Sequence, residues 1–326
     1  MYWSCALFTP NLAAELIVGE GALSELMTGT GSCRSNPIRS PHRTPFQDLK
    51  IQVKPLSRLP KPKEHGAWVM LYVSFFTAVG VTGIFDFKVW LLLATVTLLF
   101  FSQQPLRQIL SQRLRGNLGQ RCSLYCWLGF YWMSSTVLLA YLYFTYQLVR
   151  LPFFAVMSAP VVFLVIYQWK RNCVRTIAGE LVGILGLTMT APVVHYVATG
   201  QIRVTGFVLW ALTLVYFSSS IFYIKARREK FLKSRLKPVA GKAPMRLVCS
   251  FYHWGLLTAI AIAVVFNLLS PIVLVAFSPV ILRGVWRFRE VPGKLNLKSI
   301  GLREVAYSIF FGLITIWAMR AGALAR

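Results

Sequence analysis

The chain has 326 residues, of which 56% are hydrophobic and only 14% charged, and its mean hydropathy is +0.59. So little polar surface cannot enclose such a core in water, which excludes a soluble globular fold and makes lipid the expected solvent. Lys and Arg outnumber Asp and Glu by 35 to 10, a net charge of +25; in a membrane chain this sets loops against anionic headgroups at about 1 kcal/mol per basic residue, and nucleic acid is not an expected partner.

Residues 1–60 read as an irregular, basic amino-terminal extension. They contain a run rich in Ser, Arg and Pro, from Gly31 to Thr44, and no apolar core follows a basic start, so the segment does not read as a secretory signal. Residues 61–326 read as a polytopic helical membrane domain. The change falls at Lys61-Pro-Lys-Glu-His-Gly-Ala-Trp68.

From Gly66 onward, nearly charge-free runs recur at the length of about 20 residues that crosses a bilayer. They are 66–84, 89–106, 122–144, 151–169, 177–199, 204–224, 247–266, 270–286 and 300–319. The division between the seventh and eighth rests on Asn267-Leu-Leu-Ser-Pro271 alone, because 247–282 holds no Asp, Glu, Lys or Arg. Counting basic residues tests the scheme. The segments before the first span and after the second, fourth, sixth and eighth hold 30 Lys or Arg, against five on the other side: Lys88, Arg150, Arg203, Arg320 and Arg326. The amino end is therefore expected in the cytoplasm and the carboxyl end outside. Runs this long are helices, since barrel strands need only about 10 residues. The expected fold is an all-α transmembrane bundle of about nine helices, with Gly179, Gly183 and Gly186 on one helix face for close packing.

Ionisable groups in or beside the bilayer are costly, so each is a site candidate. Glu64 and His65 precede the first span, and Glu180 lies one turn into the fifth. These three are the candidate catalytic groups, able to move protons near neutrality. Gln103, Gln104 and Arg107 close the second span, Lys225 and Arg228 close the sixth, and His253 enters the seventh from the same side. Together they form the candidate ligand-binding set, a cradle of amides and cations suited to an anion or diphosphate. The competing reading is a set of snorkelling cations that only satisfy the charge rule. His195 is fifteen residues beyond Glu180, about 22 Å along a helix, and so belongs to the opposite interface. The six cysteines read as packing thiols; no metal site and no cofactor are expected.

Pro62-Lys-Glu-His-Gly-Ala-Trp68 at the mouth of a first span resembles the signature of the YwiC-like family of integral membrane proteins, and Phe222-Tyr-Ile-Lys-Ala-Arg-Arg-Glu229 is similar to a second segment of it. That resemblance implies a topology and no activity. More distantly, 177–186 running on to 196–200 resembles the Gly-Glu-Leu helix of UbiA-type intramembrane prenyltransferases, which have nine helices and cytoplasmic active-site loops after the second and sixth. Those enzymes hold magnesium-diphosphate on aspartate-rich loops. Here the equivalent places read Ser102-Gln-Gln-Pro-Leu-Arg-Gln108 and Lys225-Ala-Arg-Arg-Glu-Lys230, without the hard carboxylate ligands magnesium requires. The implied function is a degenerate, UbiA-like protein that binds a prenyl or other lipid phosphate at a cytoplasm-facing pocket, in a bacterial plasma or thylakoid-type membrane. A transporter for an anionic solute is the alternative, and a non-catalytic scaffold a third reading.

Overall fold

The computed structural model describes residues 65–114, 121–171, 176–233, 245–286 and 297–324. Within them every regular element is an α-helix: α1 (His65–Thr82), α2 (Phe87–Leu114), α3 (Arg121–Thr145), α4 (Leu151–Lys170), α5 (Ile177–Thr188), α6 (Thr190–Thr199), α7 (Val204–Lys233), α8 (Met245–Val265), α9 (Ile272–Trp286) and α10 (Leu297–Leu324). With α5 and α6 counted as one interrupted passage, the described residues form nine helices, one for each apolar run. Six passages are long and apolar enough to cross a membrane: α2, α4, α5–α6, α7, α8 and α10. Helices α1 and α9 are apolar but shorter. Helix α3 is 25 residues long, its apolar content largely aromatic.

Hydrocarbon cannot hydrogen-bond to peptide groups, so each passage must satisfy its own backbone, and the exceptions fall where side chains help. The break at Met189 is explained by Pro192, which has no N–H to offer the carbonyl of Thr188. Beside it, the Thr188 hydroxyl donates to the Ile184 carbonyl at 2.9 Å and that of Thr190 to the Leu187 carbonyl at 3.0 Å. Gly200 ends α6 at φ 71°, a left-handed conformation that glycine takes without steric cost, and its N–H reaches the Tyr196 carbonyl at 2.7 Å. The weakest division in the sequence also holds. Asn267, at φ 56°, turns the chain between α8 and α9, a conformation Asn tolerates well.

Burial separates central helices from peripheral ones. In their apolar stretches α7 is 61% buried and α5–α6 is 56%, against 11% for α4. Helix α1 packs on α5, α6, α7 and α10, while α7 also meets α8 and α9. Apolar packing is continuous through this centre: Tyr216 of α7 stacks on Phe311 of α10 with centroids 4.0 Å apart, and Phe277 of α9 meets both rings edge-on. Helices α3 and α4 instead turn Phe130, Trp132, Val156 and Phe163 outward, as lipid-facing helices do.

Candidate functional site

The amino-terminal helices leave space between them. A cavity of about 770 Å³ lies among α1 to α6, within the roughly 300–1,000 Å³ typical of small-molecule sites. It is long: its lining on α2 runs from Leu92 to Leu106, fourteen residues or about 21 Å of helix. Most of its wall is apolar. One side is formed by α5 glycines, and a Cβ on Gly186 would lie 3.2 Å from the Val161 side chain, so the approach of α4 to α5 depends on that residue being small. Trp132 and Val162 line the cavity yet are each 52% exposed, which makes its wall continuous with the lipid-facing surface of α3 and α4.

Ser102 and Gln103 of α2 line one end of the cavity, with Trp169 of α4 and Gly183 of α5, while Thr95, Thr136, Tyr143, Ser158 and Thr190 lie elsewhere on its wall. One turn before Gly183, Glu180 pairs with Lys225 of α7 at 3.1 Å, and both side chains are less than a quarter exposed. Local sequence explains the position of Glu180. Thr176 caps α5, accepting from the Gly179 N–H at 3.1 Å, and Glu180 follows in the first turn, where a negative charge suits the helix dipole.

A second polar group lies among α7, α8, α9 and α10. Arg283 is 4% exposed, and its Nη1 pairs with Oε1 of Glu304. Ser220 donates to the other oxygen of that carboxylate at 2.8 Å. The guanidinium sits 4.2 Å over the Tyr223 ring and 5.9 Å from that of Tyr307, a desolvated cation–π arrangement. His253, 2% exposed, completes the group from α8. Its Nδ1 lies 2.7 Å from the Cys249 carbonyl, which can only accept, so Nδ1 carries the hydrogen and Nε2 is left as the acceptor. Nε2 has no hydrogen-bond partner among the described residues. The ring also lies against Gly284, where an added Cβ would meet Cδ2 at 2.6 Å and Nε2 at 2.9 Å.

Residues 62–195 match the model of the family described as YwiC-like protein. That stretch, less than half of the chain, is similar to the YwiC-like family. It holds α1 to α5 and the first half of α6, and every side chain that lines the cavity falls inside it. The Arg283 group falls beyond it. Comparison with curated proteins and with solved structures gives no match, so the UbiA-type likeness rests on sequence motifs alone. The protein is a multi-pass integral membrane protein in which residues 62–195 are similar to the YwiC-like family.

The predicted site residues fall in several places. Glu64 lies outside the described residues, as does the side chain of His65, whose backbone begins α1. Gln103 lines the cavity, while Gln104 and Arg107 are half-buried on the same helix and are not among its lining residues. Glu180 and Lys225 come together as a pair, and Arg228 is exposed one turn further along α7. His253 stands apart with Arg283, separated from the Glu180 pair by an apolar cluster built on Phe222, Ala226 and Cys249. His195 lies at the far end, 5% exposed and packed on Gly206, so its side chain is buried within the bundle there. Among the described residues no three His, Cys, Asp or Glu side chains gather as a metal site would require. Arg283 and Glu304 are not among the site residues predicted from the sequence. The available signal was that Arg283 follows eleven uncharged residues of α9 and that Glu304 is an acid inside a span.

Proposed function

We propose that this protein binds a membrane lipid carrying a phosphate, a prenyl phosphate being the leading class. The tail lies in the cavity and the phosphate at the end lined by Ser102 and Gln103. The observation that carries the reading is the cavity itself, long, apolar and continuous with the lipid-facing surface, with Ser102 and Gln103 at one end. A soluble solute would gain little from such walls, whereas an apolar chain entering from the bilayer leaves no polar group unsatisfied. To Arg107, one turn beyond Gln103, and to Lys225, paired with Glu180 one turn before the cavity-lining Gly183, this reading assigns contact with the phosphate. They act as direct phosphate partners without a metal. Transferase chemistry is not part of this proposal, because the positions that carry aspartates in UbiA-type enzymes are amides and cations here. Anionic headgroups meet the remaining basic residues of the same end, in a bacterial plasma or thylakoid-type membrane with that end cytoplasmic.

Purified protein incubated with radiolabelled farnesyl and geranylgeranyl phosphates and diphosphates, with and without magnesium, tests the reading. Saturable binding that Ala155→Trp abolishes is the expected result, since Ala155 lines the cavity. No retention of any of the four labels under either condition would sink it.

A further inference from the structure

Helices α3 and α4 border the cavity without closing it. Helix α3 is held by α2, where Tyr131 stacks on Phe101 with centroids 5.9 Å apart. Helix α4 is held by other partners. The Arg150 N–H at its start donates to the Tyr196 hydroxyl of α6 at 2.9 Å, the Phe154 ring lies 5.5 Å from that of Tyr196, and Val161 sits against Gly186 of α5. Among the described residues the backbones of α3 and α4 hardly approach each other along their lengths, and the turn at 146–150 is what joins them. The seam so left is apolar and reaches the outside. Trp132 lies thirteen residues before the end of α3 and Val162 eleven after the start of α4, so both sit about 18 Å from the turn; both line the cavity and both are exposed. Nearer the turn the lining is small, with Thr136 and Ala140 one turn apart on α3 and Ala155 and Ser158 one turn apart on α4. Thr136 and Ala155 are exposed as well, and the Ser158 hydroxyl is spent on the Ala155 carbonyl at 2.9 Å. Neither 122–149 nor 151–169 contains Asp, Glu, Lys or Arg, so neither helix puts a charge in the seam.

We propose, on the reading of the cavity as a lipid site, that this seam is the lateral entry for the lipid tail. A single apolar chain passes from the bilayer between α3 and α4, across the small residues Thr136, Ala140, Ala155 and Ser158, and leaves by the same route. The phosphate stays at the level of Ser102 and Gln103 while the tail swings in sideways, so no charge crosses the hydrocarbon. Helix α4 is the fixed jamb, anchored on α5 and α6 at Arg150, Phe154 and Val161. Helix α3, packed chiefly on α2, is the element that moves to admit the chain. The competing route is lengthwise, tail first through the Ser102 and Gln103 end, and it would not need α3 and α4 to part.

Crosslinking across the seam distinguishes the two routes. In the full chain with its six cysteines replaced by alanine, Thr136→Cys is combined with Ser158→Cys, nine residues before the end of α3 and seven after the start of α4 and so at a similar depth. The pair is joined by a thiol-cleavable bismaleimide in nanodiscs, before loading to measure uptake of radiolabelled geranylgeranyl phosphate and after loading to measure its release. Both rates should fall roughly tenfold or more with the amount bound at equilibrium unchanged, and cleaving the linker should restore them. Unchanged rates in a fully crosslinked chain that still binds overturn lateral entry and leave the lipid site standing. A chain that binds none of the label before crosslinking overturns both. A pair that inserts yet cannot be joined shows that α3 and α4 do not face each other, which overturns the proposal equally. If the first pair does not insert, Trp132→Cys with Val162→Cys takes its place and is read in the same way.

Discussion

The YwiC-like helices and the carboxyl-terminal helices solve the same packing problem in opposite ways. Around α2 to α6 the bundle keeps glycine, serine and threonine against long apolar side chains and leaves a cavity of about 770 Å³. Around α7 to α10 it fills the interior with stacked aromatics and a buried ion pair. Apolar walls can stay open in a bilayer because a lipid chain fills them at no cost in hydrogen bonds, whereas a charge in the same medium must be surrounded. On the proposed reading the first half is shaped to take a lipid chain from the membrane and the second to hold charges in fixed relation.

Breaking that ion pair should have the largest effect. Arg283→Ala or Glu304→Ala leaves an uncompensated buried charge and should cost about 3–5 kcal/mol, measured by unfolding in mixed micelles. Replacing both partners with Met and Leu should recover most of that loss; if the double variant is no more stable than the singles, the pair is not the cause. Next in size is Gly284→Ala, which drives a methyl into the His253 ring and should cost about 1–3 kcal/mol through overpacking. The cavity should behave differently. Ala155→Trp should leave the unfolding midpoint nearly unchanged while removing roughly tenfold or more of lipid-phosphate affinity, so a large stability loss would show that the space is structural. The smallest effect is expected at the partly exposed Glu180–Lys225 pair, where Glu180→Gln should cost about 1 kcal/mol or less and act mainly on retention of the phosphate. A variant with wild-type binding would remove that pair from the site.

Much of the fold was legible because lipid enforces a simple rule: a run of about 20 apolar residues must be a helix. The turn at Asn267 was readable on the same grounds, from one turn signal in an otherwise unbroken run. The break at Met189 was not read, although Pro192 marks it, since proline is tolerated in membrane helices wherever hydroxyls such as those of Thr188 and Thr190 satisfy freed carbonyls.

For the site, sequence position ranked residues by depth and end, which brought Gln103, Glu180, Lys225 and His253 into one set. It could not assign them to faces. Two residues at the same depth on different helices are neighbours or strangers according to how each helix is rotated and which helices pack, and depth carries neither. Sequence alone therefore determined the solvent, the all-helical class, the number of passages and the family motif. Tertiary structure decided that Glu180 meets Lys225, that Gln103 faces a cavity, and that His253 belongs with Arg283 and Glu304. The physical reason is that hydrophobicity along the chain selects helices one at a time, whereas the choice of neighbours rests on side-chain shape, glycine contacts and paired charges among helices distant in sequence.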